Sequence, residues 1–365
     1  GVVTFTDLKI DVTGSNYSLT ATSSGLTNAI SGDFNVLSQG GASGTISTPT
    51  TWTAANSPYT VTGSVSVASG ITLTIDPGVT VQFDPGYGLQ VEGTLIARGT
   101  SSDKITFTSS ESSPSAGDWA HIFFAGSSED ASFDGNDDYS SGSILEHCTV
   151  EYAGSQEQHG AIRAYEANPY INQCTIQNNR VTGIYAENID STFRITNNTI
   201  TSNSGTDWGG GIYIHGNNAV IDNNTISQNT ASYGGAVGLQ ATGSENAEFV
   251  LSNNTITHNT AGNGGGGMNL YVSSNNASVT VSNNTISNNA GGVHLYGLGT
   301  VLISGNTISN NSVSGSGAGI KIDGGAGVTI SGNTIENNVA ESEGGGIGGG
   351  GGYQVLNNVI KGNQA

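Results

Sequence analysis

Three pairs of side chains, Arg163 and Tyr165, Tyr185 and Glu187, Tyr213 and His215, recur at intervals of 22 and then 28 residues. Folded onto one surface, they would bring guanidinium, phenol, carboxylate and imidazole together. A histidine held by a carboxylate serves as a general base, and Tyr or Arg can deliver or stabilise a proton or carboxylate in β-elimination of an acidic sugar. For that chemistry the candidates are Glu187, His215 and Arg163. The same residues also suit simple binding. A sugar ring offers an apolar C–H face to tyrosine and a polar rim to the hydrogen-bonding groups between them. A Glu and a His stacked on a solvated strand otherwise form only an ion pair.

The elements that position these residues announce themselves by repetition. The phrase "NNTISNN", residues 283–289, has near-copies whose central apolar residues are Val150, Ile176, Ile200, Ile226, Ile256, Ile286, Ile308, Ile335 and Ile360, so successive units are 22 to 30 residues long. Upstream of each phrase sits a short alternating segment such as "VTVSNN" at 279–284. Further upstream sits another led by glycine, such as "GGIYIHG" from Gly210, "GGMNLYV" from Gly266, "GGVHLYG" from Gly291 and "AGIKIDG" from Ala318. Every unit reads as three short strands of period two separated by Gly and Asn corners, and no stretch has a helical period. A period of this length signals a solenoid. Three strands per turn describe an all-β, right-handed, single-stranded parallel β-helix, in which coils hydrogen-bond about 4.8 Å apart and equivalent residues stack in files.

The files can then be read by counting. The Ile file faces inward. The second Asn of the phrase (Asn198, Asn224, Asn254, Asn284, Asn306, Asn333, Asn358) is expected at a corner in left-handed backbone. Another Asn file follows three residues after each Ile, from Asn179 to Asn363. Stacked amides satisfy one another, so both files are expected to be structural. Outward positions of the glycine-led strand give one file, Phe123, Arg163, Tyr185, Tyr213, Gly238, Asn269, His294, Lys321 and Gly348. They give a second two residues on: Tyr165, Glu187, His215, Gln240, Tyr271, Tyr296 and Asp323. Every second coil lies about 10 Å along the axis, close to a disaccharide repeat. The glycan-binding candidates are therefore Arg163, Tyr165, Tyr185, Glu187, Tyr213, His215, Tyr271, His294, Tyr296, Lys321 and Asp323.

At this point the sequence resembles the parallel β-helix repeat (pectate-lyase-like) superfamily, clearly over 144–365. Residues 59–124 fit as less regular opening coils through "ITLTIDPGVTVQF", "LQVEGTLIARGTSSDKITFTS" and "GDWAHIFFAG", where His121 takes the place of the usual glycine. The resemblance implies the fold and points to this face as the place where polysaccharide binds. The superfamily's calcium-dependent lyases gather several acids beside a basic residue, and its glycosidases place paired Asp there. Neither cluster is visible in these files. Residues 1–38, with "VVTFTDLKID", "YSLTATSSG" and "SGDFNVL", resemble the last strands of a bacterial immunoglobulin-like domain. Three strands cannot close such a sandwich. Residues 39–58 read as a linker, leaving 59–365 for the β-helix.

Three further features carry separate expectations. The loop 129–142 is dense in acids, and Asp130, Asp134, Asn136, Asp137 and Asp138 are oxygen ligands suited to Ca²⁺, although the spacing lacks the terminal Glu of an EF-hand loop and a plain solvated loop is the first reading. Cys148 and Cys174 fall in the corner file one coil apart, a spacing inside the disulfide window. They read either as a stacked free pair, the first reading because in-register parallel neighbours point side by side, or as a disulfide. The stretch "EGGGIGGGGGY", 343–353, lacks the Lys and Ser/Thr of a phosphate-binding loop.

A net charge of −20, with 8 basic and 28 acidic residues, opposes nucleic acid as a partner. No apolar run reaches the ~18 residues of a membrane span. "VLNNVIKGNQA" ends without an amphipathic cap, so the solenoid ends are expected to meet flanking domains or neighbouring copies. The combined expectation is an extracellular, cell-surface module with a structural or adhesive role and a polysaccharide-binding face. The alternatives are a lyase or hydrolase of acidic glycans, and a self-assembling filament or sheath subunit.

Overall fold

The computed structural model describes residues 14–25, 27–32, 34–36, 41–155, 160–241, 247–297, 299–324 and 327–365. Hydrogen bonds link 33 strands into one parallel ladder that winds through about 12 turns. Among the described residues the only helical element is a single 3-10 turn, Ala54–Asn56.

Each coil contributes three strands, and each strand pairs with its counterparts in the coils before and after. The glycine-led sheet runs through Leu89–Val91, Ile122–Phe124, Gly160–Tyr165, Val237–Ala241, Met268–Val272, Val293–Gly297 and Ile320–Asp323. The middle sheet includes Glu248–Ser252 and Ser278–Ser282, and the third carries the phrase itself, as in Thr255–Thr257, Thr285–Ser287 and Thr307–Ser309, which pair in one register.

The period-two pattern buries alternate residues. Ile176, Ile200, Ile226, Ile256, Ile286, Ile308 and Ile335 pair in register as one buried file, and burying each such side chain is worth about 1.5–3 kcal/mol. Both Asn files are buried ladders. Asn254 Nδ2 donates to Asn284 Oδ1 at 2.9 Å and to the Ile221 carbonyl at 2.8 Å, while its own Oδ1 accepts from the backbone N–H and Nδ2 of Asn224. The second ladder repeats the arrangement, as in Asn259 to Asn289 at 3.0 Å.

The structure corrects one detail of the corners. The left-handed residue is not the ladder Asn but the one before it: Asn197, Asn223, Asn253, Asn283 and Asn357, with Gly305 and Gly332 taking the same place. This first residue of the pair turns the chain, where Asn and Gly are tolerated best, and the turn aims the next side chain into the interior.

The expected linker is also corrected. Ala42–Ile46 and Thr50–Trp52 pair in parallel with the following coil, so the solenoid already includes residues 42–52. Trp52 is buried and stacks on Tyr59 at 4.9 Å between ring centroids, which the reading as a polar linker overlooked. Upstream, Gly14–Tyr17 pairs antiparallel with Phe34–Val36, and Thr20–Ala21 with Ala29–Ile30. The expected strand "VVTFTDLKID" lies outside the described residues.

Candidate functional site

Both outward files form as counted. Phe123 pairs with Arg163, Arg163 with Tyr185, and Tyr185 with Tyr213. The register continues through Gly238, Asn269 and His294 to Lys321. The neighbouring file runs Tyr165, Glu187, His215, Gln240, Tyr271, Tyr296, Asp323 in the same register.

The two files differ in exposure, which counting did not reveal. Tyr213 is 5% exposed and Asn269 and His294 are buried, whereas Tyr165 and Tyr271 are 36% and 39% exposed. The loops entering the strands that carry Tyr213, Asn269 and Lys321 turn back over the first file, with Gly209 against Gly238, Gly264 against Asn269 and His294, and Gly317 against Lys321. A left-handed glycine makes this possible: at Gly209, φ is 64° and an added β-carbon would run into the Ile212 carbonyl and the Tyr213 backbone. The first file is therefore largely roofed, and the second is the accessible edge.

Polar contacts divide the face into two patches. In the upper patch Glu187 is held from two sides: Tyr185 Oη donates to its Oε1 at 2.9 Å, and Arg163 Nη2 lies 3.9 Å from its Oε2. The Tyr185 and Tyr213 rings approach to 4.6 Å, and Arg163 lies over the Phe123 ring at 5.0 Å. Burial pushes the Tyr185 hydroxyl far above its ordinary range, and the Glu187 carboxylate adds to this. Tyr213 moves the same way through burial, then Glu187 and Asp207. His121, at the upper margin, is lowered to about 4 by burial and by Arg163. His215 stands beside Glu187 in register.

In the lower patch a carboxylate is again the hub. Asp323 Oδ2 lies 2.8 Å from His294 Nε2 and 3.0 Å from Lys321 Nζ. The His294 and Tyr296 rings lie 4.1 Å apart. Burial lowers the His294 pKa, opposed by the Asp323 bond. Its other nitrogen, Nδ1, is buried with no hydrogen-bond partner among the described residues.

Sequence comparison then places the molecule. Residues 210–365 match the family described as right handed beta helix region, and residues 44–168 the one described as pectate-lyase like beta helix domain. The chain belongs to the right-handed, pectate-lyase-like β-helix superfamily. No curated protein shows significant sequence similarity to this β-helix. Among solved structures, that of the periplasmic alginate epimerase AlgG aligns over 83% of this chain and 78% of its own, at 14% identity and a TM-score of 0.47. The Dettilon tailspike protein aligns over 81% and 62%, at 16% identity and 0.35. The A-module of an Azotobacter vinelandii mannuronan C-5 epimerase aligns over 89% and 88%, at 16% identity and 0.35.

The other candidates take defined places on the β-helix. The acidic loop folds out as an antiparallel hairpin, Ser132–Phe133 with Tyr139–Ser141. Asp130, Asp134 and Asp137 meet protein donors. Asp134 Oδ1 accepts the backbone N–H groups of Asn136 and Asp138, Asp137 meets Arg194 at 2.8 Å, and Asp130 accepts from Asn168 N and Nδ2. Among the described residues no three His, Cys, Asp or Glu side chains converge as a metal site. Cys148 and Cys174 are free and buried, and the Cys174 Sγ donates to the Leu145 and Asn172 carbonyls as a ladder amide would. The glycine-rich stretch 343–353 contains Ile347–Gly350, a strand of the glycine-led sheet.

One aromatic pair escaped the sequence reading. Trp208 and Tyr233 stack at 5.0 Å between ring centroids on consecutive roof loops, both partly exposed. Their spacing of one repeat length was the available signal. It was hidden because they lie in the loops rather than in the strands.

Proposed function

We propose that this β-helix is an extracellular, cell-surface module that binds polysaccharide along its glycine-led face and has a structural or adhesive role. The observation that carries this reading is the accessible file. In continuous register it runs from Tyr165 through the polar group Glu187, His215 and Gln240 to the adjacent rings of Tyr271 and Tyr296 and then Asp323, beside the Trp208–Tyr233 shelf. Ring faces with polar groups at coil spacing of about 4.8 Å suit an extended chain of sugars. Among the described residues no helix is long and apolar enough to cross a membrane.

The chemistry of the buried groups favours binding over catalysis. Glu187 is already engaged by Tyr185 and Arg163. The Tyr185 and Tyr213 hydroxyls hold their protons more tightly than an ordinary phenol, the wrong direction for a base. Neither nitrogen of His294 is open to a substrate, one being bound to Asp323 and the other buried. The rival reading, a lyase or hydrolase working through Glu187, His215 and Arg163, rests on the register that sets Glu187 beside His215.

Retention on immobilised polysaccharides tests the binding reading. The intact protein is expected to be retained and the Tyr165→Ala/Tyr271→Ala double variant to elute early. Incubation with glycan polymers, following unsaturated products by absorbance and new reducing ends, tests the rival. Turnover abolished by His215→Ala would establish the enzyme reading in place of this one.

A further inference from the structure

The proposed face carries little positive charge, and each cation on it already has a partner. Of the chain's 8 Lys and Arg, Arg163 and Lys321 stand in the outward files. Arg163 faces Glu187 at 3.9 Å and Lys321 faces Asp323 at 3.0 Å. Two imidazoles do not add to the count, and a third, His215, stands beside the Glu187 carboxylate in register. His294 shares the Asp323 oxygen and its side chain is 3% exposed, and His121 is lowered to about 4 by burial and by the neighbouring Arg163.

Other groups tilt the balance further toward negative. Asp207 lies close enough to Tyr213 to act on its hydroxyl, which burial, Glu187 and Asp207 together raise. All of this sits in a chain of net charge −20.

A polyuronate brings one carboxylate per sugar. Laid along these coils, it would place a row of anions beside carboxylates that already balance Arg163 and Lys321. Groups one coil apart, about 4.8 Å, interact within the screening length of about 8 Å at physiological ionic strength. A neutral polymer meets the same groups differently. Its hydroxyls can donate to Glu187 and Asp323, and hydrogen bonds to an ionised acceptor are about twice as strong as neutral ones. Its ring faces meet Tyr165, Tyr271 and Tyr296 without bringing in any charge.

We infer that the glycan taken by this face is uncharged, and that Glu187 and Asp323 turn polyuronates away. The inference rests on the polysaccharide-binding reading and specifies its ligand class.

The test is binding of the full chain to immobilised neutral glucan, mannan and xylan and to polygalacturonate and alginate, with EDTA present so that divalent cations cannot bridge carboxylates. The expected result is retention on at least one neutral polymer, little changed between low and high salt, and no retention on the uronates at low salt. Glu187→Gln and Asp323→Asn, singly and together, release Arg163 and Lys321 from their partners. The double variant is expected to gain about tenfold in polyuronate affinity, with neutral binding weakened several-fold by loss of the carboxylate acceptors. Preference of the intact protein for a uronate in EDTA would overturn the inference, and the salt series decides this without any variant. A folded double variant with no gain on uronates would overturn the role given to Glu187 and Asp323. Retention on no polymer of either kind would overturn the glycan reading itself, an outcome distinct from a preference for uronates.

Discussion

The coils before residue 125 and those after 174 wind alike around different interiors. In the first group the corner file is apolar, with Val79 and Ile105 buried, and large rings fill the lumen. Phe83 stacks on Trp119 at 4.2 Å, and the indole donates to the Glu151 carbonyl at 2.7 Å. In the second group the same corner holds amides from Asn198 onward. Cys148 and Cys174 bridge the two regimes: they pack within the apolar core, yet each donates its thiol hydrogen to a carbonyl of the preceding coil, Ala97 and Leu145, as the ladder amides do. The Cys174 N–H opens the first ladder by donating to Asn198 Oδ1, and the Ala153 N–H opens the second by donating to Asn179 Oδ1. The backbone winding thus does not depend on one interior chemistry. An aromatic core relies on shape, whereas a ladder relies on identical units arriving in register.

Mutations on either side can break that contrast. The largest effect is expected from Trp119→Ala, which opens a cavity beside Phe83 and orphans the Glu151 carbonyl. The cost is about 3–5 kcal/mol, read as lost hydrogen-exchange protection in the neighbouring coils. Asn254→Ala comes next. It takes the side-chain partner from the Asn224 N–H and the Ile221 carbonyl, while the Asn284 amide oxygen keeps the backbone N–H of residue 254, and with ~1–3 kcal/mol for a buried unsatisfied group the loss is about 3 kcal/mol. Because coils contact only their neighbours, it should spread up and down the ladder by one coil rather than melt the aromatic end.

Acid should separate the two regions more gently. His121 belongs to the aromatic region and titrates at about 4 when folded against an ordinary 6.5. The unfolded chain therefore takes up the proton first. Stability from this group is complete above pH about 6.5 and is lost as the pH falls toward 4. A thermal-melt series across that window should show a decline that His121→Gln removes, while the amide ladders have nothing to titrate. On the face, Tyr271→Ala should weaken polysaccharide binding about fivefold, the equivalent of roughly 1 kcal/mol from one ring contact, with the melting temperature unchanged. The smallest effect is expected from calcium. Asp130, Asp134 and Asp137 already meet protein donors, so adding Ca²⁺ should leave the melting temperature where EDTA leaves it. A rise abolished by Asp134→Asn would instead place an ion in the 129–142 loop.

Much of this was legible before any coordinates. Ile226 over Ile256, Asn254 over Asn284 and Glu187 beside His215 follow from counting along the repeat, because a backbone ladder fixes which residues share a file. The linker reading of 39–58 failed for the opposite reason: Trp52 sits in a coil too irregular to announce the period. The left-handed corner was misplaced by one residue, since either Asn of a pair is chemically suited to it and only the path of the chain decides which one turns.

The sequence by itself determined the winding, the inward and outward files and the order of residues along each, because parallel pairing at fixed spacing turns position in the repeat into position in space. The tertiary structure alone decided that Tyr213, Asn269 and His294 lie under the entering loops while Tyr165 and Tyr271 stay open. It also decided that Glu187 turns to Tyr185 and Arg163, and that Asp323 gathers His294 and Lys321. Loop paths and side-chain rotamers settle those choices, and neither obeys the period of the backbone.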